Sequence, residues 1–371
     1  MAMPPDYVFP FQNEAIDVLR QAIEANPRDA RAPYYLGNLL FDGQPEEATR
    51  LWAVSASLDP SFAIVHRNLA TAYAHRKPAP DIAKAIAELE LAVAAGRKYP
   101  LHFTELDELY EQAGVPIEKR LPLFEANQDV VAQRDDSQNR AIALEIAMDK
   151  YDDAIRMMTG RKFAVAEGAN LNVAENWSNA HLLRGQQKLQ AGRYPEALAD
   201  FQTAAITPAN LPSAGGRGGS GVAAEMAYWT GVAEAALGDR EKAVASWNRA
   251  VAPAQAAPGG RGGPRMGGGA QLYYQGLCLQ KLGQNDKAKA LFQGLVESGR
   301  SALQQSGGAA GGRGGFGRPQ AERARLAAAH YTTALGYLGL GEPAKAKAEL
   351  SQSVELSPDL SGARHALASL Q

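Results

Sequence analysis

The chain has 371 residues, of which 46% are hydrophobic, and a formal net charge of −2. A dedicated nucleic-acid-binding protein carries an excess of basic residues, so this charge argues against that class of protein. Because Cys278 is the only cysteine, an intrachain disulfide and a thiolate metal cage are also excluded, and we expect a buried core thiol at this position.

Residues 1–10 contain three prolines and are predicted to be irregular. They lack the basic start and apolar run of an export signal, and we find no apolar run long enough to cross a membrane. The compartment is therefore unassigned, and cytoplasmic by default. The next stretch, FQNEAIDVLRQAIEANP, resembles the second helix of a pair whose first helix is missing, so we expect a truncated N-terminus.

A repeated pattern begins here and defines a first region over residues 11–158, which is partly degenerate. It consists of Ala, a large apolar residue four positions later, a small residue three after that and, in the best copies, a proline five further on. This spacing places the first three residues on one helical face, where small side chains let a neighbouring helix approach closely. The best copies are Ala15, Leu19, Ala22 and Pro27; Ala48, Trp52, Ser55 and Pro60; and Ala346, Leu350, Ser353 and Pro358.

A second helix precedes this one in the better copies, as in YYLGNLLFDG, LRGQQKLQAG, YWTGVAEAALG, YYQGLCLQKLG and YTTALGYLGLG. We expect the partner helix to cross at the small residue inside each stretch, and the final glycine to end the helix with a positive φ. The crossing positions are Gly37, Gly185, Gly231, Gly276 and Ala334.

Residues 159–178 are predicted to form an irregular connection, followed by a second repeat region over 179–371. A capping helix is expected from about residue 360. Three low-complexity insertions interrupt this region at 210–221, 251–269 and 300–320, and each contains the sequence GGRGG. We interpret them as flexible loops between repeats.

The insertions contain no acid and carry six positive charges, on Arg217, Arg261, Arg265, Arg300, Arg313 and Arg318. An arginine-glycine RNA contact needs closely repeated arginines with aromatic stacking partners, and Phe316 is the only aromatic residue available. Nucleic-acid binding is therefore disfavoured. A basic fringe that contacts an acidic partner is a further alternative.

The repeat pattern resembles the tetratricopeptide repeat (TPR), a helix-turn-helix unit of roughly 34 residues. About eight copies cover about three quarters of the chain. The resemblance implies an all-α, right-handed α-solenoid with three Gly/Arg-rich loops between repeats. An ordinary helical bundle with chance matches is the alternative, but it does not explain five or more copies with the same offsets.

Three stretches resemble a narrower bacterial family that carries a mutarotase-like β-sandwich domain of unknown function in front of its TPRs. They are NPRDARAPYYLGNLLFD, KYPLHFTELDELYEQAGVP and MTGRKFAVAEGANLNVAENWSNAHLLRG. The resemblance implies that this chain is the tail of a larger carbohydrate-related protein and that any sugar chemistry lies in the part not present. We expect Arg161, Glu167, Trp177 and His181 to order the connection rather than to form a site.

One activity of the TPR family, a clamp for a peptide's C-terminal carboxylate, can be tested on the residues. Asn38 and Asn68 occupy its two asparagine positions, but Tyr34 stands where the clamp has its lysine. The positions of the clamp's remaining cations hold Leu101 and Glu105. Because a glutamate repels a carboxylate, this activity is disfavoured.

Tyrosines recur three positions before the crossing residue, and tyrosine suits peptide recognition. We predict that the concave groove is lined by these and neighbouring polar residues: Tyr34, Asn38, Arg67, Asn68, Tyr228, Tyr273 and Tyr331.

We assign no catalytic, cofactor-binding or metal-binding residue, because the six histidines are scattered and no motif places a carboxylate beside them. The sequence therefore predicts a non-catalytic scaffold that binds a protein or peptide in its groove, with an unassigned oligomeric state. The alternatives are a nucleic-acid-associated TPR protein and an accessory part of a sugar-processing enzyme.

Overall fold

The computed structural model describes residues 10–164, 172–211, 223–252, 268–304 and 318–370. Within these ranges all regular structure is helical, with no strand, and no helix is both long and apolar enough to span a bilayer. The chain divides into two compact units. Unit 1 comprises Met1–Val115 and Pro122–Ser137, and unit 2 comprises Pro116–Leu121 and Gln138–Gln371.

Unit 1 is a series of helices in which each packs against the next from α1 to α6. Its helices are α1 (Ala15–Ala25), α2 (Arg31–Leu40), α3 (Pro45–Leu58), α4 (Ala63–Ala74), α5 (Ile82–Ala95), α6 (Pro100–Gln112), part of α7 (Ile117–Glu125), and α8 (Gln128–Val131).

Unit 2 repeats the same arrangement, and the first helices of successive pairs also contact each other, α11 with α13, α13 with α15 and α15 with α17. Its helices are most of α9 (Asp135–Ala147), α10 (Tyr151–Thr159), α11 (Val173–Gln190), α12 (Tyr194–Ala204), α13 (Ala223–Ala236), α14 (Arg240–Val251), α15 (Gly268–Lys281), α16 (Asn285–Gln304), α17 (Arg318–Gly339), α18 (Pro343–Leu356) and α19 (Ser361–Ala368).

The two helices of a pair cross where an aromatic side chain of the second helix covers a glycine of the first. A Cβ added to Gly37 would lie 2.5 Å from Trp52, and one added to Gly185 would lie 2.5 Å from Phe201. The same contact recurs between Gly231 and Trp247 and between Gly276 and Phe292, and in the last pair the crossing residue is the fully buried Ala334. The predicted crossing residues are therefore found at these contacts.

Of the five quoted first helices, four end in a glycine with positive φ, as predicted: Gly192, Gly238, Gly283 and Gly341. The prediction is wrong for Gly43 after α2, whose φ is not positive, while Gly114 after α6 also takes this conformation. In the turn between α9 and α10, Asp149 takes this conformation, with φ 61°. Its carboxylate accepts a hydrogen bond of 2.7 Å from the Tyr151 hydroxyl. The hydrogen bond from Tyr151 thus lies at the residue with the unfavourable backbone conformation.

Two of the expected boundaries differ from the structure. The connection expected at 159–178 is helical from Val173, because α11 extends toward its N-terminus with a buried face that includes Val173 and Trp177. The insertion expected at 300–320 is helical at both edges, since α16 continues to Gln304 and α17 starts at Arg318. The three GGRGG arginines lie outside the described residues.

The C-terminal part of unit 2 returns to the segment that begins this unit. Arg120, which is 0% exposed, donates two hydrogen bonds, of 2.8 and 2.9 Å, to the carboxylate of Asp359. On α19, His365 Nε2 lies 3.0 Å from the Tyr151 hydroxyl and 3.1 Å from Asp149 Oδ1. These contacts join α19 and the residues before it to Arg120 and to the start of α10, at the N-terminal end of unit 2.

Cys278 is fully buried beside α14, in a cluster with Ala243 and Trp247. Burial raises the pKa of its thiol to about 12, so the thiol stays protonated and unreactive near neutral pH. This is the core cysteine that the sequence indicates.

The crossing contact yields a first prediction. Gly276→Ala places a methyl group against the fully buried Phe292 ring, which would have to shift within the core. We expect the free energy of unfolding to fall by about 1–3 kcal/mol. The matched control is Gly294→Ala in α16, where the new methyl group meets nothing within 4 Å, and we expect a gain of up to about 1 kcal/mol from helix propensity. Urea titrations followed by circular dichroism measure both, and equal effects would contradict the crossing model.

The buried ion pair yields a second prediction. Asp359→Asn removes the negative charge from the group that accepts two hydrogen bonds from the buried Arg120 guanidinium, so we expect a loss of about 3 kcal/mol and faster amide hydrogen exchange in α19. In the control, Glu196→Gln breaks the exposed Arg193–Glu196 pair, and little change is expected. Unchanged exchange in α19 after Asp359→Asn would show that this contact does not hold the helix in place.

Candidate functional site

Three of the predicted groove residues of unit 1 are joined in one packing cluster. Tyr34 is only 4% exposed, and its ring packs against Phe62 at a centroid distance of 4.8 Å. Asn38 Oδ1 accepts hydrogen bonds from the Trp52 indole at 3.0 Å and from Asn68 Nδ2 at 2.8 Å. Tyr34 therefore offers little surface to a ligand, because its ring closes the core between α2 and α4.

Arg67, the predicted groove cation of unit 1, forms a two-point ion pair with Glu105 of α6. Hydrogen bonding to that carboxylate raises the pKa of the guanidinium above its usual value. The cation is thus neutralised by the acid that stands at the clamp position. This pairing agrees with the sequence argument against a carboxylate clamp.

The three predicted tyrosines of unit 2 are all half-buried and lie on successive first helices. Tyr228 of α13 and Tyr273 of α15 both contact Tyr274, at centroid distances of 5.6 and 5.2 Å. Tyr331 of α17 lies close to α19, since a Cβ at Gly362 would be 2.6 Å from the Tyr331 hydroxyl.

A carboxyl group lies among these rings, at Glu225 in the first turn of α13. Gln186 Nε2 of α11 donates to Glu225 Oε1 at 3.4 Å, and the Tyr274 hydroxyl of α15 donates to the same carboxyl group. The indole N–H of Trp229, one helical turn after Glu225, faces it as well. We call Gln186, Glu225, Trp229 and Tyr274 the Glu225 cluster. Three successive repeats contribute to it.

Burial dominates the electrostatics of this cluster and raises the pKa of Glu225 to about 7, although the neighbouring Tyr274, Trp229, Gln186 and His365 act in the opposite direction. Burial also raises the pKa of the Tyr273, Tyr274 and Tyr331 hydroxyls, which stay neutral. Near neutral pH the cluster is therefore a carboxyl group in equilibrium between its two protonation states, enclosed by neutral aromatic rings.

The sequence analysis found the tyrosines but missed Gln186, Glu225, Trp229 and Tyr274. The sequence signal that could have found Trp229 and Tyr274 is the pair of adjacent aromatic residues in YWTG and YYQG. The sequence argument used only the first residue of each pair. In the structure, the second aromatic of each pair, Trp229 or Tyr274, faces Glu225.

Histidine–carboxylate pairs recur between the two helices of three repeats, although the sequence analysis treated the histidines as scattered. The pairs are His66–Glu88 at 2.7 Å, His181–Asp200 at 2.9 Å and His330–Glu349 at 2.7 Å. Each histidine lies four positions before a small buried residue of its helix, namely Ala70, Gly185 or Ala334. Each acid directly precedes the large residue of the second helix, Leu89, Phe201 or Leu350. These pairs hold the two helices of a repeat together.

The expected ordering of the 159–178 connection can be followed at Arg161, Trp177 and His181, while Glu167 lies outside the described residues. The Arg161 guanidinium lies 5.0 Å from the centroid of the Phe163 ring. The Trp177 indole donates to the Ile206 carbonyl at 3.0 Å. Its ring packs edge-on against His181 at 4.3 Å. Across the described ranges, no group of three or more His, Cys, Asp or Glu side chains is placed to hold a metal ion.

Family models for the tetratricopeptide repeat match residues 13–44, 182–260 and 272–298. A search of curated protein sequences gives no match. Among solved structures, the chain is similar to YrrB, described as a TPR protein with an unusual peptide-binding site, at 19% identity and a TM-score of 0.28, covering 64% of this chain and 92% of that one. It is also similar to the Cut9–Hcn1 hetero-tetramer of APC/C, at 16% identity and a TM-score of 0.35, covering 96% of this chain and 58% of that one.

The His66–Glu88 pair yields a third prediction. Hydrogen bonding to Glu88 raises the folded-state pKa of His66 above its ordinary value of 6.5. Its contribution to stability is therefore complete below pH 6.5 and is lost as the pH rises through the folded-state pKa. We expect the difference in unfolding free energy between wild type and His66→Gln to be largest at acidic pH and to shrink toward pH 8.5. The exposed His75→Gln serves as a control, and a pH-independent difference for His66→Gln would contradict the assignment.

Proposed function

We propose, from the premise that this chain is a tetratricopeptide repeat protein, that it binds an extended protein segment along the first helices of unit 2. The repeat architecture supports a protein-interaction scaffold. The single observation that carries the finer proposal is the convergence of Gln186, Glu225, Trp229 and Tyr274, from three successive first helices, on one half-buried aromatic surface.

This surface has the composition expected of a recognition site. Tyrosine and tryptophan offer large, rigid contact areas at a low cost in side-chain entropy, and they are enriched among the residues that dominate binding energy. Trp229 and Tyr274 lie 6.3 Å apart, centroid to centroid, and both are partly open to solvent. In unit 1 the corresponding Tyr34 is closed off in the core, so the proposal concerns unit 2.

The other roles stay predictions from the sequence. The arginines proposed for nucleic-acid contact at 217, 261, 265 and 313 lie outside the described residues. The role as the tail of a larger carbohydrate-related protein rests on the sequence resemblance alone. Neither is supported by a contact of the Glu225 cluster.

Selection from a displayed library of 12-residue peptides against the whole 371-residue chain tests the proposal. We expect selected peptides to bind wild type and to bind Tyr274→Ala at least about tenfold more weakly, as a hot-spot truncation would do. Val244→Ala, on the second helix of the same repeat as Glu225 and 37% exposed, is the matched control and should bind unchanged.

Circular dichroism confirms that both variants are folded before affinities are compared. Trp229→Ala provides an independent second truncation of the same surface. Peptides that keep full affinity for both truncated variants would place the binding surface elsewhere and contradict the proposal.

A further inference from the structure

We propose that Glu225 recognises the positively charged side chain of a lysine or arginine in the bound protein segment. This inference rests on the proposed function and adds the chemical class of the residue that the groove selects. It is carried by the position of one carboxyl group among several aromatic rings on the first helices of unit 2.

The rings around Glu225 form a connected set. Tyr228 and Trp229 meet edge to face at 5.0 Å, Tyr273 and Tyr274 meet at 5.2 Å, and Tyr228 contacts Tyr274 at 5.6 Å. Aromatic faces attract a cation within about 6 Å of the ring centroid. A carboxylate beside such a set provides the counter-charge, so the arrangement fits an ammonium or guanidinium group.

No cationic side chain of the described residues is hydrogen-bonded to Glu225, whose partners are the neutral Gln186 and Tyr274. By contrast, Glu105 on the first helix α6 is paired with a cation, Arg67. The nearby His365 acts on Glu225 without a hydrogen bond, so a ligand cation would supply a directly bonded counter-charge that the described residues do not.

The protonation equilibrium of Glu225 makes binding depend on pH. The titratable groups that face it are Tyr274 and Tyr273 of α15, Tyr331 of α17 and His365 of α19. The three tyrosines stay neutral, as shown above. Since the pKa of Glu225 is about 7 and the ionised form attracts the cation, affinity should rise about tenfold between pH 6 and pH 8.

A protein segment fits this surface better than a free amine. Two further tyrosines lie next to the cluster, Tyr273 on α15 and Tyr331 on α17. A small cation would use the carboxyl group and one or two rings, whereas a peptide would also cover the neighbouring tyrosines. Most of the affinity should therefore require residues on both sides of the cation.

Three fluorescent pools of 12-residue peptides provide the probes. Each pool has arginine, norleucine or glutamate fixed at the centre and uncharged residues elsewhere. Fluorescence anisotropy with the whole chain measures the dissociation constants at pH 6 and pH 8. We expect the arginine pool to bind wild type at least about tenfold more tightly than the norleucine pool at pH 8, with a smaller preference at pH 6.

Glu225→Gln keeps the shape and the hydrogen-bonding capacity of the side chain and should abolish the arginine preference. Glu241→Gln, which alters an exposed acid on α14, should leave it intact. Free N-acetyl-arginine amide should compete at least about a hundredfold more weakly than the peptides. Because Glu225→Gln could fold poorly, the pH series on wild type gives a second, mutation-free measurement.

The outcomes separate this inference from the proposed function. Equal binding of the arginine and norleucine pools, or an arginine preference that survives Glu225→Gln, would overturn the inference and leave peptide binding intact. Free N-acetyl-arginine amide binding as tightly as the peptides would assign the site to a small amine and overturn it as well. Binding by none of the pools would overturn both proposals.

Discussion

The crossing contact between a large apolar side chain and a residue with little or no side chain determines the geometry of the repeats. At Gly185 and Gly276 the first helix has no Cβ, so Phe201 and Phe292 lie directly on its backbone. Any larger residue would push the two helices apart and change the direction in which the next pair begins. Because neighbouring pairs stack in order, this local spacing also sets the distance between successive first helices.

The Glu225 cluster follows from that spacing. Gln186, Glu225 and Tyr274 are 39 and 49 residues apart along the chain, and they meet because α11, α13 and α15 lie side by side. Burial on this face leaves Glu225 near the midpoint of its titration at neutral pH. The binding of a cationic ligand would therefore shift the protonation equilibrium of Glu225 toward the ionised form.

The repeat pattern in the sequence was sufficient to predict the helix pairs, the crossing glycines and most of the turn glycines, since each depends on local spacing. The Glu225 cluster could not be predicted in this way, because its members are joined across repeats and the position of Tyr274 relative to Glu225 depends on how two pairs stack. Tyr34 shows the same limit, for its repeat position matches that of Tyr273 while its ring is closed off by Phe62. The histidine–carboxylate pairs could have been predicted from the sequence, because His66, His181 and His330 share one repeat position.

The most direct test of the groove assignment is ¹⁹F NMR of the chain labelled with 5-fluorotryptophan, during titration with a library-selected peptide. The four tryptophans are Trp52, Trp177, Trp229 and Trp247. Trp229 belongs to the Glu225 cluster, while Trp247 fills the crossing of the same repeat and serves as an internal reference. The account predicts that the Trp229 resonance shifts while the Trp247 resonance stays in place. A bound peptide that leaves the Trp229 resonance unchanged would contradict it.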